Sequence, residues 1–420
     1  MKNNIVVHCV GARGGSVSFK IPPSFRNDFT VVLYEPDKDA IERIEKYSTQ
    51  HYGQHHILPY CLDNKISTAV LNINRDPNTS SLLKQNLHYR EYYFFQDGNY
   101  HYDYVWGETS ETIIEMEINT TTLDKVIETE NIPSPDIFCL DTQGSEHCIL
   151  EGSAKALTKT LAVISEVEFS PLYADQPLFG DVSHLLRNYG FEFVCFDTLT
   201  EMSPLPMSIA SRGKGSHVSA DAVFVKSLTQ IKIDFPGQHE RDNAILKLAF
   251  FLICRGHVEL AIKLMEKTSA EFLENKLNLS SAKYVRFCRE FYLAACSANT
   301  NPNRVPTFSE TFNLDQSMER SRATTENFKI PARVNVYCYT KTLIKSTLKR
   351  ITPLASIVHF VNNSRNHAKE WMFVFKNKKN SSIENLLFDY KFDEISALIK
   401  KNRLKCSLGL FRDENRRKYR

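Results

Sequence analysis

Three acidic side chains lie where two predicted strands end. Asp141 follows the apolar run Ile137–Leu140, and Glu166 and Glu168 lie near the carboxyl end of a second apolar run, 161–169. Residues two positions apart share a face of a strand, and open α/β sheets bind ligands at the carboxyl ends of their strands. These carboxylates could supply a general base or bind a divalent cation. Some of them could instead cap helices or pair with arginine, so we expect one to act in the chemistry and the others to be structural.

A glycine turn, V-G-A-R-G-G at residues 10–15, follows the first apolar run, Ile5–Val10. Glycine allows a sharp backbone turn and a close approach to a ligand. The pattern is not G-x-G-x-x-G, which disfavours a nicotinamide-dependent oxidoreductase, and the spacing of Gly11 and Gly14 suits the looser loop of nucleoside-binding methyltransferases. Glu35 lies 24 residues after Gly11, at the end of the second predicted strand. A carboxylate there can accept both ribose hydroxyls of an adenosine, so the two signals together favour an adenosine cofactor.

Strands alternate with helices through residues 1–228, which predicts a parallel sheet covered by helices on both faces. The predicted strands are Ile5–Val10, 30–34, 57–60, Ile137–Leu140, 161–169, 191–196 and 222–225, and the predicted helices are 37–47, 145–159 and 178–188. An insertion at about 64–130 contains two further predicted strands, 69–73 and 112–118. From about residue 236 the pattern becomes helical, with helices predicted at 243–255, 257–267, 282–297 and 383–400.

Blocks of sequence spread over residues 1–228 resemble, in the correct order, the FkbM-type S-adenosylmethionine-dependent methyltransferase family. They are V-G-A-R-G-G (10–15), E-P-D (35–37), S-S-L (80–82) followed by Asn86, T-L-D (122–124), L-D-T-Q-G-S-E (140–146), E-V-E-F-S-P-L-Y-A-D-Q-P-L-F-G-D-V (166–182), G-F-E (190–192) and D-A-V-F-V-K (221–226). D-T-Q-G-S-E and Q-P-L-F-G-D-V are the most specific of these blocks. The resemblance implies a class I Rossmann-like fold, S-adenosylmethionine as the cofactor, and methyl transfer to a hydroxyl oxygen, often on a sugar or a polyketide-like product.

The combined prediction is an α/β, Rossmann-like class I methyltransferase sheet with a β/aromatic insertion, followed by a mostly α-helical basic module. The expected function is O-methylation of a glycan or related small metabolite. Asp141 is the first choice for the general base because its strand end faces the expected cofactor crevice, and Glu166 and Glu168 are the other catalytic candidates. Asp63 could contact the adenine amino group or be an ordinary loop residue. The candidate cofactor-binding residues are Gly11, Ala12, Arg13, Gly14, Glu35, Pro36 and Asp63; no metal ligand is assigned, although a divalent metal stays open.

One residue departs from the family pattern. The family usually has Asp two residues before the first glycine, where it helps to order the glycine loop and the amino-acid end of the cofactor; here that position is Cys9. A nearby group such as His8 could take over this role. The loss of the aspartate could instead weaken cofactor binding, and a catalytically inactive scaffold that binds S-adenosylmethionine or adenosine is the alternative function. Glu35, Asp141 and both specific blocks are intact, which argues against decay of the site.

The segment 88–106 is rich in aromatic residues, with six Tyr, two Phe and one Trp. Tyrosine and tryptophan combine a flat apolar face with a polar edge. In an insertion over the active site they could stack on a sugar ring. The alternative, that they pack the insertion onto the sheet, is slightly favoured.

The composition is that of a globular protein: of 420 residues, 42% are hydrophobic and 24% charged. This excludes a collagen-like or wholly disordered chain. The longest apolar run, 248–254, is far shorter than the roughly 20 residues that a bilayer span needs, and the N-terminus does not resemble a signal peptide. Ten cysteines without a C-x-x-C pair are expected to be reduced thiols in a cytoplasmic protein.

The net charge of +3 hides an asymmetry between the two halves of the chain. Residues 1–228 carry 18 Lys and Arg against 30 Asp and Glu, whereas residues 229–420 carry 34 against 19. We expect a methyltransferase domain at 1–228, a helical hairpin or bundle at 229–300, and a basic, partly helical region at 301–420. The basic half most simply neutralises the acidic half. It could also bind an anionic acceptor, an anionic membrane surface or, nonspecifically, nucleic acid.

Overall fold

The computed structural model describes residues 4–15, 17–19, 21–94, 104–205, 215–269 and 282–299. The strands are β1 (Ile5–Val10), β2 (Phe29–Tyr34), β3 (Gln54–Leu58), β4 (Cys61–Leu62), β5 (Ser67–Asn74), β6 (Tyr93–Phe94), β7 (Thr112–Thr121), β8 (Ile137–Leu140), β9 (Ala162–Glu168), β10 (Phe191–Ser203) and β11 (Ser216–Lys226). The helices are α1 (Lys38–His51), α2 (Trp106–Thr109), α3 (Leu123–Glu130), α4 (Glu146–Glu151), α5 (Ala154–Lys159), α6 (Phe179–Asn188), α7 (Leu228–Asp234), α8 (Gln238–Cys254), α9 (Val258–Met265) and α10 (Lys283–Asn299). The predicted helix 383–400 and the basic region 301–420 lie outside the described residues.

The central sheet has the strand order β3-β2-β1-β8-β9-β11-β10-β6. Strands β3, β2, β1, β8 and β9 are parallel, which confirms the predicted α/β fold with a large, mostly parallel sheet. The predicted parallel arrangement does not hold at one end of the sheet, because β11 runs antiparallel to both β9 and β10. A parallel crossover is usually made by a helix. The sequence predicts none between β10 and β11, and the two strands form an antiparallel pair.

The middle of the sheet is covered on both faces. Every residue of β1 and β2 is buried, as expected for central parallel strands. Val32 and Tyr34 of β2 belong to the core formed with α3, α4, α5 and α6. Phe29 has the opposite parity and therefore points to the other face, where its ring lies 6.2 Å from that of Phe250 in α8.

The predicted helix 145–159 is two short helices, α4 and α5. Gly152 lies between them, where a Cβ atom would overlap the main-chain oxygen of Asp63. The first amides of α5 are capped from another helix, because the carboxylate of Asp124 accepts the N–H groups of Lys155 and Ala156, both at 2.8 Å. A side chain distant in sequence thus sets the start of α5, which local periodicity could not reveal.

The predicted strands of the insertion are present as β5 and β7. They pair antiparallel, with Ser67 opposite Thr120, and form a small sheet with β4. This sheet brings residues 80–94 of the insertion toward the carboxyl ends of the central strands.

The helices after β11 pack on the sheet through aromatic side chains. Phe25 contacts Phe250 of α8 and Phe287 of α10, with ring centroids 4.8 and 5.7 Å apart. Asp136, just before β8, accepts hydrogen bonds at 2.8 Å from the Val6 amide and at 2.7 Å from Lys247 Nζ. These contacts join α8 to the first strand of the sheet.

Residues 1–292 group in one compact unit, so the described part of α8, α9 and α10 up to Tyr292 shares a core with the sheet. The division of the chain into functional domains at residues 228 and 300 stays a prediction. Within the described residues, no helix is both long and apolar enough to cross a membrane.

Candidate active site

The glycine turn after β1 packs directly on the residue that follows β8. Gly11 has a φ of 79°, in the left-handed region that favours glycine, and a Cβ there would lie 2.8 Å from the Asp141 carbonyl carbon. The next amide, of Ala12, donates to the Tyr34 oxygen of β2 at 3.2 Å, and the Gly15 amide donates back to Ala12 at 2.7 Å. The turn therefore joins the carboxyl ends of three adjacent strands.

A buried acidic residue lies at the end of β2. Glu35 is 5% exposed, and its Oε1 accepts the Asp37 N–H at 2.9 Å. Burial raises the pKa of Glu35. Arg13 and Asp37 form an ion pair at 2.6 Å, which ties the glycine turn to the residue that also caps α1. Burial alone would raise the pKa of Asp37, but the hydrogen bond from Arg13 lowers it.

The remaining predicted cofactor residues, Gly14, Pro36 and Asp63, lie near the glycine turn and Glu35. Gly14 is part of the same turn, and Pro36 follows Glu35 and is partly exposed. The Asp63 amide donates to the Thr121 oxygen at 2.8 Å. Burial, with the charges of Asp63 and Glu35, raises the pKa of Cys61 to about 12, so these two carboxylates flank the same thiol.

The three predicted catalytic carboxylates form one group. Asp141 is exposed, Glu166 is partly exposed and Glu168 is buried. Burial raises the pKa of Glu166 well above its usual range, and the charges of Asp141 and Glu168 raise it further. Burial also raises the pKa of Glu168, reinforced by the charge of Glu146. A carboxyl group in such surroundings favours its protonated form.

Gln143 links the carboxyl ends of β8 and β9. Its side-chain amide Nε2 donates to Glu166 at 2.6 Å and to Asp141 at 3.1 Å. Its φ is 58°, an uncommon conformation for a residue other than glycine, and such residues cluster at functional sites. The hydroxyl of Tyr173 donates toward Gln143 Oε1 at 3.0 Å and also lies 2.7 Å from the Thr79 oxygen.

Glu146 holds the backbone of the same loop. Its carboxylate accepts the Thr142 amide at 2.6 Å, the Thr142 hydroxyl at 2.9 Å and the Gly144 amide at 2.9 Å. Glu146 is 2% exposed, and burial raises its pKa. This glutamate positions the loop that carries Gln143.

A fifth carboxylate comes from the antiparallel strand β11. Asp221 is paired across the sheet with Glu166, and its Oδ2 accepts the Thr198 hydroxyl at 2.6 Å. Burial raises the pKa of Asp221, and the charge of Asp141 adds to the effect. The acidic group therefore extends over β8, β9 and β11.

The insertion covers this group from one side. Ser81 Oγ donates to the Gln143 oxygen at 2.7 Å, and Asn86 Nδ2 donates to the Pro171 oxygen at 2.7 Å. Trp106 is buried with its ring edge-on to Tyr173, 5.5 Å between centroids. The aromatic side chains that the structure describes in this segment thus include ones that pack the insertion onto the site; residues 95–103 lie outside the described part.

The suggestion that His8 takes over the role of the missing family aspartate is wrong. His8 Nδ1 lies 3.0 Å from the Tyr34 hydroxyl, and Nε2 lies 3.0 Å from the Pro133 oxygen. Burial lowers the pKa of His8 to about 3, so the side chain is neutral and belongs to the core. Cys9 points to the opposite face of β1, where the Cys139 side chain, burial and the charge of Asp141 raise the pKa of its thiol. Asp141 is thus the carboxylate whose charge acts on Cys9.

Several residues of the site were not assigned a role from the sequence. Gln143 and Glu146 lie within D-T-Q-G-S-E, Tyr173 lies within the longer block, and Asp221 begins D-A-V-F-V-K. The motifs marked these positions, but their roles depend on contacts between strand ends. Among the described residues, no group of three or more His, Cys, Asp or Glu side chains is arranged to hold a metal ion.

The mostly parallel sheet, with a glycine turn after its first strand and an acidic residue after its second, has the architecture of a Rossmann-like methyltransferase fold. Residues 10–193 match the family model described as Methyltransferase FkbM domain. This match confirms the resemblance of that part of the chain to FkbM-type methyltransferases. The chain has no significant match among curated proteins or among solved structures.

Proposed function

We propose that the protein is an S-adenosylmethionine-dependent O-methyltransferase that acts on a hydroxyl group of a glycan or related small metabolite. One observation carries the proposal. The turn at Gly11 closes on the backbone of Asp141, which places the predicted cofactor loop beside the predicted general base. The family match of residues 10–193 supports the methyltransferase class.

The residues at the end of β1 and β2 fit an adenosine-containing cofactor. Gly11 packs directly on the backbone of Asp141 and has no side chain, so no side chain occupies the turn at that point. Glu35 uses Oε1 for the Asp37 amide, and among the described residues no partner is seen for Oε2. A carboxylate oxygen at this position suits a ribose hydroxyl, because a hydroxyl can donate to it without adding charge.

The acidic group suits acceptance of a proton from a hydroxyl substrate. Bound S-adenosylmethionine would supply an activated methyl group on its sulfonium. Asp141 is the exposed member of the group, and Gln143 fixes one of its oxygens by a hydrogen bond. The raised pKa of Glu166 favours a protonated side chain there, so Asp141 is the better proton acceptor. The neighbouring carboxyl groups can hydrogen-bond further hydroxyls of a polyol acceptor.

Cofactor binding is the first test, by calorimetric titration with S-adenosylmethionine and S-adenosylhomocysteine, with NAD as a control ligand. We expect micromolar binding of the first two and none of NAD. Glu35→Gln should weaken both affinities by about tenfold or more, since it removes a charged hydrogen-bond acceptor. Glu42→Gln, on the exposed side of α1, is the matched control and should bind as the unaltered protein does. Absence of binding by either cofactor would contradict the proposal and favour the inactive scaffold.

Methyl transfer is the second test, with S-adenosylmethionine carrying a labelled methyl group and a panel of glycans and hydroxylated metabolites. Asp141→Asn should reduce turnover by about a hundredfold or more, the usual contribution of general-base catalysis, with cofactor affinity retained. Full turnover by this variant would show that Asp141 is not the base. Cofactor binding without transfer to any hydroxyl acceptor would contradict the O-methyltransferase proposal while leaving the cofactor assignment intact.

A further inference from the structure

A cysteine and a histidine face each other away from the strand ends that form the candidate active site. Cys195 lies on β10, and His257 lies in the turn between α8 and α9. The Cys195 Sγ atom is 3.3 Å from His257 Nε2. Both residues are partly exposed, so a small reagent can reach the pair. Neither residue belongs to the blocks that resemble the family.

Charged groups surround the pair on both elements. The Cys195 thiol can also donate to Oδ1 of Asp197 on the same strand, at 3.8 Å, and the charge of Asp197 is balanced by an ion pair with Arg255 of the α8–α9 turn. A further carboxylate, Glu259, lies in the first turn of α9, two residues after His257. Burial and the positive charge of Arg255 lower the pKa of His257, so the imidazole is neutral near pH 7. Its Nε2, 3.3 Å from the sulfur, can therefore act as a general base that accepts the thiol proton as the sulfur reacts.

Two other partly exposed cysteines provide a comparison within the same molecule. Burial and the charges of nearby carboxylates raise the pKa of Cys148 to about 11 and of Cys61 to about 12. Among the described contacts neither thiol is hydrogen-bonded to an imidazole. Thiolate is the reactive form of cysteine, so these two thiols are expected to react slowly.

We propose that Cys195 and His257 form a thiol–imidazole pair and that Cys195 is the preferred site of modification by small hydroperoxides and alkylating electrophiles. The thiol proton moves to His257 Nε2. With hydrogen peroxide, the sulfur attacks one oxygen as the O–O bond breaks, which oxidises the cysteine to a sulfenic acid and reduces the peroxide. The departing hydroxide takes the proton from the imidazolium and leaves as water. This inference is independent of the proposed methyl transfer.

The test is the alkylation rate of each cysteine of the full-length protein by iodoacetamide, followed by peptide mass spectrometry from pH 5 to 9. Near pH 7 we expect Cys195 to react at least about tenfold faster than Cys61 and Cys148, with a pH midpoint below the value of about 8.5 for a free thiol. Brief exposure to hydrogen peroxide, with dimedone to trap sulfenic acid, should label Cys195 first.

Substitution of the imidazole tests the pairing itself. His257→Asn should slow alkylation of Cys195 by about tenfold and move its pH midpoint upward, without changing the rates at Cys61 and Cys148. His184→Asn, on α6 beside Arg187, is the matched control and should leave Cys195 unchanged. Equal rates for the three thiols in the unaltered protein, or a His257→Asn variant as reactive at Cys195 as the unaltered protein, would overturn the proposal.

The buried cysteines report whether the variant is folded. Cys139 and Cys288 are both 0% exposed and react only if the protein opens. If Cys139 and Cys288 become reactive in His257→Asn, the variant is not properly folded and its rate at Cys195 does not test the pair. The test then rests on the pH midpoint of Cys195 alkylation in the unaltered protein. A midpoint at or above that of a free thiol contradicts the pair, and a lower one supports it.

Discussion

The main-chain carbonyl of Asp141 fills the space that a side chain on Gly11 would need. The cofactor turn and the candidate base are thus in direct backbone contact, and glycine is required there both for space and for its φ of 79°. Because of this contact, a change in the turn is expected to displace the end of β8 that carries the candidate base.

Gly11→Ala should therefore destabilise the protein severely. The left-handed backbone alone costs about 1–3 kcal/mol for a residue other than glycine, and the overlap with the Asp141 backbone adds to this because no rotamer change relieves it. Urea denaturation gives the free energy of unfolding. Gly180→Ala is the control: a Cβ there meets no atom within 4 Å, and the site is in α6, so we expect a gain of about 0.5–1 kcal/mol. Equal stabilities of the two variants would contradict the described packing.

Tyr173→Phe tests the connection between the insertion and Gln143. The phenol hydroxyl is buried and lies between the oxygens of Thr79 and Gln143. Its loss leaves Gln143 Oε1 without its described donor, whereas the Thr79 oxygen keeps the side-chain amide of Asn74. One unsatisfied buried acceptor costs about 1–3 kcal/mol. Thermal and urea unfolding measure the loss. Tyr60→Phe removes a hydroxyl that donates to exposed Glu130 and should change stability little; a larger effect at Tyr60 than at Tyr173 would count against the proposed role of Tyr173.

Glu168→Gln should stabilise the protein at neutral and alkaline pH. Burial raises the pKa of Glu168 in the folded state, above the value of about 4.3 expected when unfolded. The folded state therefore binds a proton more tightly, and this stabilisation is lost as the pH rises from about 4.3 through the folded pKa. Glutamine never ionises, so the variant should exceed the unaltered protein in unfolding free energy at pH 8 and approach it at pH 4.5.

Urea denaturation of both proteins across this pH range measures that difference. Glu128→Gln replaces an exposed glutamate of α3 and serves as the control, with no expected trend. A Glu168→Gln variant that is less stable than the unaltered protein at pH 8 would show that the ionised carboxylate is held by favourable contacts.

Lys226→Met should be strongly destabilising. Lys226 is 1% exposed, and its Nζ donates to Asp234 at 2.5 Å, to the Leu157 oxygen at 2.7 Å and to the Thr158 oxygen at 3.0 Å. Removal leaves Asp234 largely buried without its cation, which costs about 3–5 kcal/mol. Lys125→Met breaks an ion pair with Glu128 whose side chains are 51% and 72% exposed, and its effect should be small. The midpoints of urea unfolding compare the two, and similar losses would be inconsistent with the buried contacts of Lys226.

Much of the fold followed from local pattern. Ile5–Val10 and Ile137–Leu140 were predicted to the residue, because short apolar runs bounded by turn residues leave little choice of length. The pattern did not give the antiparallel direction of β11, since a buried strand looks the same in either direction. The break between α4 and α5 was also hidden, because it depends on Asp124, more than 30 residues earlier in the chain.

The candidate site was predictable in part. The strand ends indicated Asp141, Glu166 and Glu168, and the structure brings them together; their catalytic roles stay predictions. Gln143 could not be found by residue type, because nothing in its sequence neighbourhood signals a left-handed glutamine between two carboxylates. His8 looked available for the loop, but the alternation of β1 directs it to Tyr34 on the other face.

The strand order has a consequence for how far the chain can be shortened. The family match ends at residue 193, whereas β11 lies between β9 and β10 and begins at Ser216. A fragment ending at 193 would leave the edge of β9 open, and one ending at 228 would uncover Phe25 and Phe29 and deprive Asp136 of Lys247. Both fragments are expected to aggregate through exposed apolar surface and an open strand edge. A piece that folds on its own is therefore expected to include α8 and α10, about a hundred residues beyond the segment by which the family is recognised.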